Sequence, residues 1–211
     1  KVLITAGPTR EAIDPVRFLG NHSSGTMGFE LAKKAASLGA KVVLVSGPTN
    51  LEVDHSSIEL IRVTSAQEMY EVCHKYYNDT DVAICAAAVA DYRPKKVAKE
   101  KLKKKDGDLN IELERNPDIL LSLGEKKTHQ FLVGFALETE NELENAKGKL
   151  QRKNLDGIVL NSLKDDGAGF GGTTNKITFI DKNLKIKTFG LKTKPEVASD
   201  IWEEIISRIH A

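Results

Sequence analysis

The sequence has 211 residues, enough for one ordinary domain whose apolar core needs no metal or disulfide support. Its 31 Lys and Arg residues nearly balance its 30 Asp and Glu residues, so overall charge gives no reason to expect nucleic acid as a partner. Two cysteines cannot form a disulfide framework, and no apolar run approaches the roughly 20 residues that span a membrane. The composition therefore predicts a single cytoplasmic domain over residues 1–211.

Short apolar runs alternate with amphipathic segments from the first residue onward. Strands are expected at the runs 1–6, 41–45, 58–63, 82–90, 131–135 and 157–160. Helices are expected over 27–38, 65–77, 116–123, 139–152 and 195–209. Segments 176–180 and 185–189 flank a short polar turn and predict a β-hairpin near the C-terminus.

Capping residues mark three of these helix starts: Ser65 with Glu68, Thr139 with Glu142, and Asn116 followed by Pro117. Strands that are near-continuous apolar runs and alternate with helices predict an α/β, Rossmann-like three-layer fold with a mostly parallel central sheet. In such folds ligands bind beyond the carboxyl ends of the strands. The loops after Ala6, Val45, Ala90 and Phe135 are therefore the expected site.

Two familiar motifs appear without the structural context they need. The glycines at 167, 169 and 172 match a dinucleotide fingerprint, but charged residues precede them and a hairpin follows, so we expect a flexible turn. Tyr92 and Lys96 match the spacing of a dehydrogenase pair, but Pro94 breaks the helix that would place them on one face. An oxidoreductase is therefore disfavoured.

The segment from Gly20 to Met27 nearly spells a phosphate-binding P-loop, with Thr26 in place of the lysine. Ser23, Ser24 and Gly25 lead into the helix, and free N–H groups at a helix start would bind an anion. The alternative is that these serines only cap the helix. Both interpretations remain open from the sequence.

Eight cations and one acid lie between Arg93 and Lys105. A solvated surface is the usual meaning of such a run, and nucleic-acid binding is disfavoured because aromatic residues do not interleave it. Since the run follows a strand end, a third interpretation is a basic flap, about residues 92–115, that closes over a triphosphate.

Eight short motifs occur in an order that resembles one family, the phosphopantothenate–cysteine ligases. They are ITAGPTRE from Ile4, DPVR from Asp14, NHSSG from Asn21, AAVADYR from Ala87, EKLKK from Glu100, NPDI from Asn116, VGFA from Val133 and KNLD from Lys153. The resemblance covers essentially the whole chain. In many bacteria this domain is the C-terminal half of a bifunctional coenzyme A biosynthesis protein.

The resemblance implies a ligase that joins 4′-phosphopantothenate to L-cysteine in two steps. CTP first converts the acid to an acyl cytidylate, and the cysteine amine then displaces CMP. By the family pattern Lys101 acts in the first step and Asn21 in the second. The positions that match nucleotide-binding residues are Ala86, Ala87, Asp91, Asn116, Pro117, Asp118, Ile119, Phe135, Lys149 and Lys153.

The resemblance also implies partners and cofactors. Mg²⁺ accompanies the triphosphate with no protein ligands assigned, flavin is not expected on this domain, and a homodimer is. A phosphopantothenoylcysteine decarboxylase, fused or separate, is the implied protein partner. Thr26 departs from the pattern, since many bacterial members carry Lys there, and eukaryotic relatives favour ATP over CTP. The competing hypothesis is a non-catalytic module that binds nucleotides or polyanions.

Overall fold

The computed structural model describes residues 1–103, 109–138, 140–162 and 172–209. The strands within these ranges are β1 (Val2–Ala6), β2 (Arg10–Ala12), β3 (Phe18–Gly20), β4 (Val42–Ser46), β5 (Ile58–Arg62), β6 (Val82–Cys85), β7 (Tyr92–Pro94), β8 (Leu113–Arg115), β9 (Phe131–Glu138), β10 (Gly157–Ser162), β11 (Thr174–Asn175), β12 (Ile177–Asp181), β13 (Ile186–Thr188) and β14 (Lys192–Thr193). The helices are α1 (Thr26–Ser37), α2 (Ala66–Tyr77), α3 (Ile119–Lys126), α4 (Glu142–Arg152) and α5 (Lys194–Ile209).

Eight strands form the central sheet in the order β13–β12–β10–β9–β6–β1–β4–β5. The six strands from β10 to β5 run parallel, and the hairpin of β12 and β13 continues the sheet in antiparallel fashion. Strand order reverses between β1 and β6, because the chain moves outward from β1 in one direction and from β6 in the other. The carboxyl ends of these two strands are therefore where a parallel sheet of this type binds its ligand.

Alternate residues of each inner strand enter opposite cores. Val2 and Ile4 of β1 pack with α1 and α5, whereas Leu3 packs on the side of α2, α3 and α4. Both faces of the sheet are thus covered, which explains why the inner strands are almost continuously apolar. The α/β three-layer architecture and the C-terminal hairpin predicted from the sequence are confirmed.

The strand predicted for 82–90 was too long, because β6 ends at Cys85. The chain beyond it still follows β1, but through irregular bonds: the Ala87 N–H donates to Thr5 Oγ1 at 3.1 Å and the Ala90 N–H donates to Thr9 Oγ1 at 3.0 Å. Two threonine hydroxyls thus alternate with backbone bonds, such as that from the Ala88 N–H to the Gly7 carbonyl at 2.9 Å, and the segment forms a loop at the sheet edge.

Two predicted helix caps were wrong. Asp118 and not Asn116 caps α3, since its Oδ1 accepts the Leu121 N–H at 3.0 Å. Asn116 instead turns toward the preceding loop, where its Nδ2 donates to the Ala90 carbonyl at 2.8 Å. At α4 the cap residue is Asn141, with a left-handed φ of 47°; Thr139 lies outside the described residues.

Other predicted boundaries moved by smaller amounts. The strand predicted at 131–135 continues to Glu138, because β10 pairs with it along its whole second half. The capping box at the start of α2 is confirmed, with the Glu68 N–H donating to Ser65 Oγ at 3.2 Å. Tyr92 lies in an extended strand, which agrees with the rejection of a helical Tyr–Lys pair. The glycines at 167 and 169 lie outside the described residues.

Two small antiparallel sheets, β2–β3 and β7–β8, lie beside each other above the central sheet. Strands β7 and β8 form the two ends of the segment that was predicted as a basic flap. Residues 104–108 of this segment lie outside the described part. The buried Asp14 joins the two, because its carboxylate accepts the Leu102 N–H at 3.1 Å and is paired with Arg17. Arg17 Nη2 also donates to the Leu102 carbonyl at 2.9 Å.

Candidate functional site

Two adjoining cavities lie at the carboxyl edge of the sheet, where strand order reverses. The first has a volume of about 500 Å³ and the second about 480 Å³. They share a wall made of Ala87, Val89, Asp91, Phe135 and Lys149. The segment between β3 and α1, the loop after β6 and the second half of β9 line this region, whereas no described residue of the loops directly after β1, β4 and β9 lines either cavity.

The N-terminus of α1 forms one side of the first cavity. Gly25 precedes the helix with a left-handed φ of 80°, and no side chain caps the helix end. Ser23 Oγ accepts the Gly25 N–H at 3.3 Å, while the N–H groups of Met27 and Gly28 have no partner among the described residues. Ser24 Oγ also accepts the Thr26 N–H at 3.5 Å, so the serines satisfy part of the helix start, while the remaining N–H groups are open to an anion.

Asn21 lies at the entrance of the first cavity, against the loop that follows β6. Its Nδ2 donates to the Val89 carbonyl at 3.0 Å and to the Ala88 carbonyl at 3.3 Å. These two bonds hold the side chain beside the shared wall, and its Oδ1 has no partner among the described residues. His22 also lines this cavity and is exposed.

The second cavity is lined by the Asn116–Ile119 turn and the end of α4. Asn116 Oδ1 is buried and has no hydrogen-bond partner in the described structure. Lys153 Nζ lies 2.7 Å from the Asp118 carboxylate, and this bond lowers the pKa of Asp118 although partial burial of the carboxyl opposes the shift. An unpaired buried acceptor oxygen suits a ligand that brings a hydrogen-bond donor, such as an amino group.

Lys149 and Phe135 meet at the wall between the cavities. Lys149 Nζ donates to the Phe135 carbonyl at 2.8 Å. The ammonium is therefore fixed just beyond Gly134, the last residue of β9 that pairs with β6. Burial, and next the nearby Lys153, lower the pKa of Lys149. A desolvated ammonium held by one carbonyl keeps two donors for a ligand. The half-buried Phe135 ring lines both cavities, beside Ala86 and Ala87.

Ion pairs in the folded chain reduce the net positive charge of the run from Arg93 to Lys105. Arg93 Nε lies 2.8 Å from Glu114, and Lys95 Nζ lies 2.7 Å from Glu112, so the returning strand neutralises two of its cations. Lys101 is exposed and lines neither of the two cavities. The structure thus brings together every predicted site residue except Lys101.

Three residues of the first cavity were not identified from the sequence: Asn161, Asn175 and Lys194. They come from the end of β10, from β11 and from the first residue of α5. A single physical signal could have revealed Lys194, because a cation at a helix N-terminus opposes the helix dipole. Nothing in the spacing of the two asparagines indicates a site.

Cysteine and metal chemistry find little support in the described residues. Burial raises the pKa of Cys85, which lines the second cavity, to about 12, so its thiol stays protonated. The described part of the chain contains no group of three or more His, Cys, Asp or Glu side chains that could hold a metal ion. Its helices also lack the combined length and apolar character needed to cross a bilayer.

The family of DNA/pantothenate metabolism flavoprotein C-terminal domains matches residues 1–209. The chain belongs to this family. A coenzyme A biosynthesis bifunctional protein, CoaBC, from Bacillus subtilis is 49% identical over 97% of this chain and 50% of its own length. A crystal structure of the C-terminal domain of such a CoaBC protein has 45% identity and a TM-score of 0.84, covering 99% of this chain and 95% of the crystallised one.

Another relative has a different name. A cysteine/cysteine sulfinic acid decarboxylase of an unknown prokaryote is 53% identical over 100% of this chain and 59% of its own length. The chain thus spans little more than half the length of the curated relatives that it matches. Thr26 Oγ1 lies 2.9 Å from Ser24 Oγ, and the two hydroxyls bond to each other.

Proposed function

We propose that this domain joins 4′-phosphopantothenate and L-cysteine through an amide bond, using CTP. The names of the CoaBC relatives, which match the chain over nearly its full length, support a role in coenzyme A biosynthesis. One structural observation carries the proposal. Two cavities meet at Phe135, Asp91 and Lys149, so two substrates bound in them would meet at one wall.

The nucleotide is assigned to the second cavity and the acid to the first. Lys149 and Lys153 supply positive charge to the second cavity, and the buried Asn116 Oδ1 offers an acceptor for an amino group of the base. The open N-terminus of α1 gives the first cavity its affinity for an anionic substrate. The reaction then occurs at the shared wall.

In the first step an oxygen of the pantothenate carboxylate attacks the α-phosphorus of CTP. The new O–P bond replaces the bond to pyrophosphate, which leaves with its electron pair. The Lys149 ammonium, fixed by the Phe135 carbonyl, is placed to stabilise charge at this point. Lys101 is proposed to approach from the flap when nucleotide is bound, and the anchor of its neighbour Leu102 at Asp14 defines where that movement would pivot.

In the second step the cysteine amine attacks the acyl carbon, the bond to CMP breaks, and the amine loses a proton. Asn21 lies at the entrance of the acid cavity with its amide held by Val89 and Ala88. An amide held in this way can orient the acyl group while the cysteine amine attacks it. The family resemblance assigns this role to the second step rather than the first.

Mg²⁺ fits the proposed nucleotide site as a companion of the triphosphate. The exposed Asp91 carboxylate lies at the junction of the cavities and has no side-chain partner among the described residues. One carboxylate suits Mg²⁺, which prefers phosphate and water oxygens for its remaining positions. When bound, the ion would offset the negative charge of the phosphates.

Release of pyrophosphate from CTP and 4′-phosphopantothenate, measured with and without cysteine, tests the proposal. Lys101→Gln is expected to abolish pyrophosphate release, whereas Asn21→Asp is expected to release one equivalent and accumulate the acyl cytidylate. Lys99→Gln, an exposed lysine of the same run, is the matched control and keeps the parent rate. Product formation by Asn21→Asp at the parent rate would contradict the role of Asn21.

The same assay separates the ligase from a non-catalytic binding module. A folded chain that binds CTP and 4′-phosphopantothenate without releasing pyrophosphate would favour the module. Parallel titrations with ATP test the nucleotide preference. Decarboxylation, in the name of the 53% identical relative, is not proposed here, because that name describes a whole protein of which this chain matches 59%.

Two partners complete the proposal: a second copy of the chain and a phosphopantothenoylcysteine decarboxylase, fused or separate. Exposed apolar side chains lie on the two small sheets and the turn beside them, among them Val16, Phe18, Tyr92 and Leu113. Such a cluster favours association between copies. Sedimentation velocity should show a dimer for the parent and a monomer for Phe18→Asp, and a monomeric parent would contradict the dimer.

A further inference from the structure

Lys194 is an almost buried cation without a counter-ion. Its exposed fraction is 5%, yet its ammonium has no hydrogen-bond or ion-pair partner among the described residues. Burial lowers the pKa of Lys194, and no neighbouring carboxylate compensates for it. Lys192, two residues earlier, shows the usual arrangement, since it is paired with Asp200 at 2.8 Å. The Lys194 side chain lines the first cavity, and a cation held at such a nearly buried position without a counter-ion is unfavourable, which suggests that its partner is a ligand.

The position of Lys194 in its helix is a second, independent reason to expect a ligand beside it. It is the first residue of α5, where the partial positive charge of the helix dipole repels an ammonium. Acidic residues are favoured there, and Glu196 occupies such a position in the same first turn, accepting the Thr193 N–H at 2.9 Å. In the protein without ligand, Lys194 is therefore unfavourable for two reasons: its burial without a counter-ion and its position at the positive end of the helix dipole.

The surroundings of Lys194 form a pocket of hydrogen-bond donors. Asn175 is buried, and its Nδ2 donates to Asn161 Oδ1 at 3.2 Å. This bond leaves the Nδ2 group of Asn161 without a partner in the described structure. The free N–H groups of Met27 and Gly28 at the start of α1 line the same cavity. An ammonium, a side-chain amide and two backbone N–H groups are the donors that a phosphate monoester uses.

We propose that Lys194, Asn161 and the N-terminus of α1 bind the phosphate group of the acid substrate, 4′-phosphopantothenate. This assignment rests on the proposed function. The nucleotide also carries phosphates, but the cavity assigned to it has its own cations, Lys149 and Lys153. Lys194 and Asn161 line the first cavity and not the second. The phosphate would thus be held away from the wall, and the carboxylate at the other end of the substrate would be free to reach it.

Calorimetric titration of the intact chain tests this site without turnover. Lys194→Met removes the charge and keeps the length of the side chain, and Lys185→Met, on the exposed hairpin turn, is the control. Lys194→Met is expected to weaken the binding of 4′-phosphopantothenate by about 10- to 100-fold, the usual effect of one hydrogen bond to a charged group. Its affinities for pantothenate, which lacks the phosphate, and for CTP should equal those of the parent.

The melting temperature distinguishes a ligand site from a structural lysine. Because the empty protein holds the charge unpaired, Lys194→Met should melt at the parent temperature or above it, whereas a lysine needed for folding would give a lower value. If Lys194→Met does not fold, Lys194→Arg and Asn161→Leu serve in the same titrations; the first should retain most of the affinity, and the second should lose part of it.

Two results would overturn the assignment. Parent-like affinity for 4′-phosphopantothenate in folded Lys194→Met would remove Lys194 from the site. A selective loss of CTP affinity would assign the subsite to the nucleotide instead. Failure of the proposed function looks different, because a chain that binds 4′-phosphopantothenate through Lys194 but releases no pyrophosphate would leave the subsite intact and refute the ligase.

Discussion

Replacement of Gly28 by alanine should destabilise the protein, although alanine is the better helix former. Gly28 lies in the first turn of α1, where the helix touches β1. An added Cβ would lie 2.5 Å from Ala6 Cβ and 3.0 Å from the Thr5 carbonyl oxygen. Both atoms belong to the central strand, where no flexible side chain can move aside, so the helix start itself must shift.

The expected size follows from two opposing effects. Alanine gains about 1 kcal/mol in helix propensity, while overpacking of this kind costs about 1–3 kcal/mol and more when backbone must move. At this separation the clash exceeds the gain, and we expect a net loss of about 1–2 kcal/mol. For a chain of this length that corresponds to a melting temperature lower by about 2–8 °C.

Gly148→Ala is the matched control, because Gly148 lies within α4 and an added Cβ would meet no atom within 4 Å. It should stabilise the protein by about 0.5–1 kcal/mol. Urea unfolding of both variants, with calorimetric melting, measures the difference. Gly28→Ala should also bind 4′-phosphopantothenate more weakly, since its N–H lies at the proposed phosphate site. A Gly28→Ala protein as stable as the parent would refute the reasoning.

Three further outcomes follow from the same structure. The bond from Arg17 and the backbone N–H groups lower the pKa of Asp14, so its contribution to stability is present above about pH 4 and is lost as the pH falls further; the urea midpoints of the parent and Asp14→Asn should differ most at pH 7 and converge in acid. Lys149→Met should weaken CTP binding by about 10- to 100-fold with an unchanged melting temperature, as calorimetry would show; unchanged affinity would remove Lys149 from the nucleotide site. Trp202→Phe, which loses the 2.9 Å bond from Nε1 to the Leu31 carbonyl, should lower the free energy of unfolding by about 1–2 kcal/mol, and a parent-like urea midpoint would contradict this.

The architecture could be predicted because it depends on local pattern. Apolar runs such as Val42–Ser46 are buried on both faces, and only a parallel sheet between two helix layers does that. The loops that form the site followed from the same rule, since ligands bind at the carboxyl ends of such strands. The serines and glycine before α1 were compatible with an anion site and with simple helix capping, and the sequence left both open.

Predictions failed where long-range bonds replaced local preference. Asn116 has the residue type of a helix cap, but the Ala90 carbonyl, 26 positions earlier, accepts its amide and leaves Asp118 as the cap. The strand expected to reach Ala90 ends at Cys85, and beyond it the hydroxyls of Thr5 and Thr9 accept the N–H groups of Ala87 and Ala90. Propensity is weak beside such contacts, since each satisfies a peptide group that would otherwise stay unpaired.

The amino-acid pattern alone thus determined the layers of the fold and the edge of the sheet where the cavities lie, while the family resemblance named most of the predicted site residues. Tertiary structure decided the electrostatics. Pairing with Glu112 and Glu114 neutralises part of the cationic run, while Lys194, a single lysine in the sequence, becomes a nearly buried side chain without a partner among the described residues. The reason is physical: the effective charge of a side chain depends on burial and on partners distant in sequence, and only the folded chain brings these together.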